Sequence, residues 1–391
     1  MKRQCRKKDI LMQINRERLA ENFTMLCETE SPSWKEGKIA AVLKGIFAAL
    51  GADEVLEDDS AAVTGSETGN LIIRFNGTVD REPIFLNCHM DTVQPGVGIR
   101  VQRSGDIFTS SGETILGSDD KSGIAAIIEA VHCLRENDTG HPPFEIILTT
   151  CEEVGLLGAK ALDTSLVRAR LGYSLDSTGF GLIITGAPAA NSLDITLRGA
   201  AAHAGLHPEW GISAIRLAAQ ALTGVPHGRV DKESTVNFGT INGGTASNIV
   251  PEEVVIAGEV RSHSPGKLEE LTKRIESVFR RTVDGWHDET GEARCRPTLL
   301  FRSRPDFPLM KLNADDPVVR RLERAASSVG ISMEHRVAGG GSDANILNGY
   351  GLQTAIIATG MTNVHSSREQ IDLGDMEKLT RLILALICDG D

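Results

Sequence analysis

Phe144-Glu145-Ile146-Ile147-Leu148-Thr149-Thr150-Cys151-Glu152-Glu153-Val154-Gly155 sets a short apolar run against two adjacent acids and a glycine. The run through Leu148 has the length and β-branched content of a buried strand, so the acid pair sits where a strand ends. Open α/β sheets gather polar chemistry at the carboxyl ends of strands, where the chain leaves the core. Two neighbouring glutamates alone also fit an ordinary solvated loop, and the flanking segments decide between the two.

Upstream, strand-like pieces cover residues 54–56, 70–75 and 83–89, the last ending in His89-Met90-Asp91-Thr92-Val93. Before them, apolar residues recur at helical spacing over about 15–28 and 35–50, with a break at Ser31-Pro32-Ser33. Between His89 and the acid pair, Leu116-Gly117-Ser118-Asp119-Asp120-Lys121-Ser122-Gly123 leads into a helix over 124–134, whose N-terminus the two aspartates also suit. Beyond the pair come a helix from near Leu156 and a third strand, 171–176, that ends in an acid. This alternation predicts an α/β layered domain with a largely parallel sheet.

From about Asn191 the order changes to strand 193–198, helix 212–222, strands 235–241 and 254–263, helix 268–283 and strand 293–301. A β-α-β-β-α-β order is the ferredoxin-like unit, a compact domain in itself. After about Ser303 the α/β character returns, with a helix over 317–329, a strand near 332–337, the turn Gly339-Gly340-Gly341-Ser342-Asp343, a strand over 354–358 and a closing helix over 376–387. The chain thus reads as an α/β domain in two parts, 1–188 and 303–391, with a second domain inserted at 189–302.

Composition narrows the partners. At 391 residues the chain is long enough for two cores. A formal net charge of −12 disfavours nucleic acid and anionic membrane, so a small molecule or peptide is the expected partner. The basic start, Met1 to Lys8, is followed only by Ile10-Leu11-Met12, shorter than a signal peptide's apolar core. No later run reaches a membrane span, and a cytoplasmic protein is expected. Seven cysteines without a C-x-x-C pair fit reduced thiols. Cys88 and Cys151, each preceding a candidate site residue, are expected to pack into the sheet.

His89, Asp119, Glu153, Asp176 and His365 all fall at strand ends or in the loops after them. Two imidazoles and three carboxylates suit zinc, with manganese or cobalt as substitutes. If one aspartate bridges, five side chains can hold two metals, each with an open position for water. Glu152 is then free beside a ligand to take a proton from metal-acidified water. A carboxylate such as Asp91 beside His89 can fix the imidazole's tautomer. Gly339-Gly340-Gly341 lacks the lysine and spacing of a P-loop and reads as a turn lining the cleft.

Taken in order, Asn87 to Val93, Gly117 to Lys121, Cys151 to Gly155, Ser174 to Asp176 and Val364 to Ser366 resemble motifs of the aminoacylase, glutamate carboxypeptidase and tripeptidase T family of dinuclear zinc hydrolases, with a peptidase T-like pattern. The resemblance implies a catalytic α/β/α domain with a mixed, largely parallel sheet and an inserted ferredoxin-like lid and dimerisation domain. It implies two Zn2+ ions, one on His89, Asp119 and Asp176, the other on Asp119, Glu153 and His365. Asp119 would bridge, Asp91 would orient His89, and Glu152 would be the general base for a metal-bridging water. It also implies a cis Asp119-Asp120 peptide bond.

In the inserted domain, His203 resembles a lid histidine that polarises the scissile carbonyl, from its own or a neighbouring subunit. Asn248 resembles a substrate-contacting asparagine, and Arg261 an arginine that grips a substrate carboxylate. The implied activity is cleavage of an amide bond in a small peptide, or in an N-acyl amino acid by the same mechanism, by a homodimer. Retention of every ligand speaks against a non-catalytic peptide-binding protein. One position departs from the pattern: Gly339 stands where tripeptidase T carries an arginine, which leaves tripeptide specificity open.

Overall fold

The computed structural model describes residues 3–4 and 12–388. Most of the basic N-terminal stretch, Cys5 included, lies outside the described residues. The chain divides into two compact units. One takes in the chain through Gly186, then Met310–Ala338 and the chain from Ser342 onward; the other is Ala187–Leu309 with Gly339–Gly341.

Among the described residues, the first unit holds a nine-stranded sheet. Its order is Met310–Lys311, Phe180–Ala187, Gln353–Thr359, Leu171–Ser174, Ile84–His89, Phe144–Thr149, Leu71–Phe75 and Glu54–Glu57, with Glu334–Val337 paired to Phe180–Ala187. The four strands from Gln353–Thr359 to Phe144–Thr149 run parallel. Antiparallel strands flank them on both sides.

Strands buried on both faces lose polar alternation, which is why these read as continuous apolar runs. Ile146 and Leu148 face the larger core, with the helices Arg16–Glu28, Ser118–Glu136 and Leu373–Cys388, while Ile147 between them faces a smaller core with Phe85, Leu162 and Leu347. At about 25 cal/mol per Å² of apolar surface removed from water, such two-sided burial dominates the stability of this layer.

The second unit is a five-stranded antiparallel sheet, Gly228–Arg229, Ser234–Gly243, Glu253–Ser262, Ala189–Arg198 and Thr298–Phe307, counted among the described residues. Two amphipathic helices, Ala214–Thr223 and Pro265–Asp284, bury their apolar stripes in its core. The architecture is therefore the expected mixed α/β fold carrying a ferredoxin-like unit.

Three details differ from the expectations. The last strand, expected over 293–301, spans Thr298–Phe307, because it pairs with Ala189–Arg198 along its length, from Arg198↔Thr298 to Ala190↔Phe307. The second unit accordingly runs past 302. The strand Phe180–Ala187 was not foreseen, and neither was the hairpin of Val101–Ser104 and Ile107–Ser110, which Gln370–Asp372 extends to three strands. No helix among the described residues is long and apolar enough to cross a membrane.

Candidate active site

Parallel neighbours end at the same edge of a sheet, and here three of them end in acids or a histidine. His89 lies opposite Thr149, three residues before Glu152, and Asn87 lies opposite Ser174, two before Asp176. The strand Gln353–Thr359 adds the loop that carries His365. Asp119 enters with the helix Ser118–Glu136; it and Asp120 keep non-helical dihedral angles, and the peptide bond between them is cis.

Asp119 stands at the centre. Its Oδ1 is 2.9 Å from His89 Nε2 and its Oδ2 is 3.2 Å from His365 Nε2, so each oxygen serves one imidazole. His365 Nε2 also meets Glu153 Oε1 at 3.0 Å. Donor atoms of His89, Asp119 and Asp176 lie within 4.8 Å of one another, as do those of Asp119, Glu153 and His365 and those of His89, Glu152 and Glu153. The first two sets share Asp119. Each offers nitrogen and carboxylate oxygen without thiol, a donor chemistry that fits zinc or a similar cation. The neighbouring cation, Lys121, is turned away, its Nζ donating to Ser31 Oγ and the Met90 carbonyl.

Asp91 meets His89 more closely through its backbone than through its side chain. His89 Nδ1 is 2.9 Å from the Asp91 backbone carbonyl oxygen and 3.5 Å from its carboxylate. The carboxylate chiefly accepts the N–H groups of Glu152 at 2.9 Å and Glu153 at 3.2 Å, with the Ser33 hydroxyl at 2.7 Å. It holds the acid pair at least as firmly as the histidine.

Residues without a place in the sequence reading complete the frame. Glu369, 1% exposed, accepts the N–H groups of Leu116, Gly117 and Asp119 and the Ser118 hydroxyl, at 2.6–3.2 Å, and so fixes the loop that presents Asp119. Its one sequence signal is its place four residues after His365. Asp343, also buried, accepts the Thr149 hydroxyl at the start of the helix Asp343–Gly349, which follows the glycine turn in the chain. Cys88 packs in the larger core as expected. Cys151 does not: it lies past the strand end, with its thiol 3.3 Å from Glu36 Oε1.

So many acids in one buried place press on each other's charge. Burial, then the Asp176 carboxylate, holds Glu152 well above the usual carboxylate range. Burial and then Asp119 push Asp176 up to about 8, and burial raises Asp343 to about 6. Burial would also raise Asp119, but hydrogen bonds from His365 and His89 keep it below the usual range. Burial opposes charge on His89, yet the Asp119 and Asp91 carboxylates outweigh it and raise the ring well above its ordinary value. His365 is raised to about 10 by Asp119 and then Glu153.

The inserted unit holds the other candidates. His203 and Asn248 are exposed and adjacent: His203 bridges to Ile249, and the Ala204 N–H donates to the Asn248 carbonyl at 2.9 Å. Arg261 is apart from them. The loop with Asn248 leaves the sheet before Glu253, and Arg261 lies at the far end of the strand Glu253–Ser262, roughly 25 Å away at strand rise. Its guanidinium pairs with Glu259 at 2.9 Å and lies over the Phe307 ring. A Cβ on Gly340 would stand 3.5 Å from Arg261 Nη1, so the glycine turn passes beside this arginine.

Comparison with known proteins bears on this arrangement directly. The family model of peptidase family M28 matches residues 70–189, and that of the peptidase dimerisation domain matches 186–287. The solved structure of the aminopeptidase PepT from Bacillus cereus ATCC 10987 superimposes with a TM-score of 0.84 at 39% identity, over 96% of this chain and 98% of that one. The chain belongs to the peptidase T-like M20 metallopeptidases. A tripeptidase from Staphylococcus aureus matches with a TM-score of 0.88 at 32% identity, over 96% and 98%. The uncharacterised protein YqjE of Bacillus subtilis is 39% identical over 96% of this chain and 98% of its own. This peptidase T-like protein accordingly has the fold and family of enzymes that hydrolyse peptides.

Proposed function

We propose that the chain is a dizinc hydrolase that cleaves an amide bond in a small peptide. The observation that carries this reading is Asp119, whose two oxygens each face a histidine, with Glu153 on one side and Asp176 on the other. His89, Asp119 and Asp176 would hold one ion and Asp119, Glu153 and His365 the second; Co2+ or Mn2+ suits the same donors. Bound divalent cations acidify water and polarise a carbonyl.

The protein's own groups do the rest. Glu152 takes a proton from the attacking water and returns it to the leaving amine. Asp91 holds Glu152 and Glu153 by their amides, and His203 donates to the oxyanion. Asn248 and Arg261 contact the substrate, Arg261 through a carboxylate.

A tripeptide spans on the order of 10 Å. His203, in the loop after Ala189–Arg198, and Arg261, near the end of Glu253–Ser262, lie at opposite ends of the inserted sheet, too far apart to meet on so small a molecule. A homodimer built through the inserted lid domain, with each chain lending His203 to the other's site, satisfies both. Such an enzyme would act in the cytoplasm, without nucleic acid or membrane partners.

Release of free amine from di- and tripeptides and from N-acyl amino acids, by zinc-loaded protein, tests the proposal. Cleavage of peptides is the expected result. Cleavage confined to N-acylated substrates would make the protein a deacylase with the same chemistry. No release with both metals bound would leave a peptide-binding protein.

A further inference from the structure

We infer that Glu36 is a positioning residue for Glu152, an inference that rests on Glu152 being the general base. Four consecutive backbone N–H groups in the loop after Phe144–Thr149 each donate to a side chain brought from elsewhere. Thr150 donates to Asn70 Oδ1 at 3.1 Å, Cys151 to Glu36 Oε1 at 3.0 Å, Glu152 to Asp91 Oδ1 at 2.9 Å and Glu153 to Asp91 Oδ2 at 3.2 Å. The four amides are thus fixed by side chains from elsewhere, while the carbonyls of Thr150, Cys151 and Glu152 accept the N–H groups of Gly158, Leu157 and Leu156 in the turn that follows.

Cys151 is the joint. Its φ is +52°, in the left-handed region that residues with a side chain rarely enter, and it directly precedes Glu152. Glu36 grips it twice, through the amide and through the thiol at 3.3 Å. The same carboxylate accepts the Trp34 N–H at 3.1 Å and the Ser66 hydroxyl, which fixes its own direction. Glu36 is fully buried and stands at the N-cap of the helix Gly37–Ala49, yet its side chain makes no cap bond there. A residue in that place usually serves its own helix. This one is spent on the loop, from a helix anchored by Ile39, Leu43 and Phe47 in the core.

Without Glu36, the Cys151 N–H loses its acceptor and the left-handed turn is left to the carbonyl bonds of Thr150 and Cys151, which loosens the station of the next side chain. Displacements on the order of 1 Å at a reacting group can cost about 10²-fold in rate. Glu36 touches no substrate and acts only through the joint.

The test is a cycle of zinc-loaded wild type, Glu36→Ala, Glu152→Gln and the double variant, with metal content, kcat and KM, and with amide exchange of the metal-free proteins followed by mass spectrometry. We expect Glu36→Ala to lose about 10²-fold in kcat with KM and both metals retained. In the Glu152→Gln background it should change the residual rate less than about twofold, because the group it positions is already gone. The segment 150–153 should exchange faster while Phe144–Thr149 keeps its protection. Glu36→Gln should stay within about fivefold of wild type, since its carbonyl still accepts the Cys151 N–H and its amide can donate to Ser66.

Wild-type kcat in Glu36→Ala would overturn the inference. So would an equal loss in both backgrounds, the mark of a general structural role. If Glu152→Gln itself turns over normally, the base assignment has failed instead, and the positioning role falls with it even if exchange shows that Glu36 holds the loop. Should Glu36→Ala not fold, Glu36→Asp against Glu36→Gln decides: the shorter acid cannot reach Cys151 and should lose activity where the amide keeps it, whereas equal activity would refute the role.

Discussion

The two units carry their candidate chemistry in opposite ways. In the first, His89, Asp119, Glu152, Glu153 and Asp176 stand at the edge of a sheet, and the loops around them are tied down by buried side chains: Asp91, Glu369, Asn70 and Glu36. In the inserted unit His203 and Asn248 ride two paired, exposed loops, where the His203 ring accepts the Gly205 N–H at 3.2 Å. Bond-breaking needs atoms fixed before the substrate arrives, whereas substrate contacts can form as it arrives. On the proposed function, the difference would give rate to one region and selectivity with oxyanion support to the other.

The largest effect should come from the fixed region. Glu152→Gln is expected to lower kcat about 10³-fold while both metals stay bound, because the amide keeps the shape and cannot take a proton. Turnover and metal content measured on one preparation check this; full activity would move the base elsewhere. His203→Ala should cost less, about 10²-fold in kcat with metal content unchanged, as expected for one lost oxyanion donor. Mixing His203→Ala with Glu152→Gln sharpens the comparison. Activity that returns on mixing means that the exposed loop serves a partner's site, and no return means that it serves its own chain.

The fixed region was also the more legible one, though only in part. His89, Glu153 and Asp176 announce themselves because each ends or follows an apolar run, and a run of that kind shows in sequence by local pattern alone. The frame behind them does not. Glu36 reads as an ordinary acid at a helix start and Glu369 as a solvated loop residue, since burial of an acid is decided by chain far away in sequence: Ser66 and Cys151 for one, residues 116–119 for the other. The strand Phe180–Ala187 was hidden for a related reason. Glycines at 181 and 186 weaken its pattern, and its partners come from residues 334–337 and 353–359. Thr298–Phe307 was misplaced because Arg302, Ser303 and Arg304 are polar and exposed on both faces of the strand, so apolar spacing ends before the pairing does.

Metal uptake gives the next effect in size. His365, raised to about 10, and Asp176, raised to about 8, hold protons at neutral pH in the metal-free protein. A cation must displace them, so binding releases protons and affinity rises with pH by about tenfold per unit for each proton released, both protons below about 8 and that of His365 alone from about 8 to about 10. Calorimetric titration of the metal-free protein in buffers of different ionisation enthalpy measures the protons released. A pH-independent affinity would mean that the acids and imidazoles of the first unit are not the ligands.

The smallest effect tests the inserted unit. A Cβ at Gly339 would meet no heavy atom within 4 Å, and the residue is not in the left-handed region, so Gly339→Arg can be built without strain. The turn it belongs to passes Arg261, and a second guanidinium there would offer a bidentate grip on a substrate carboxylate. One partly solvated charge-assisted pair is worth about 1 kcal/mol, or about fivefold. KM for tripeptides should fall by that much with kcat unchanged, while tripeptide amides, which lack the carboxylate, should show no change. An equal shift for both would mean that the arginine acts on the protein, and no shift would place the glycine turn away from the substrate's carboxyl end.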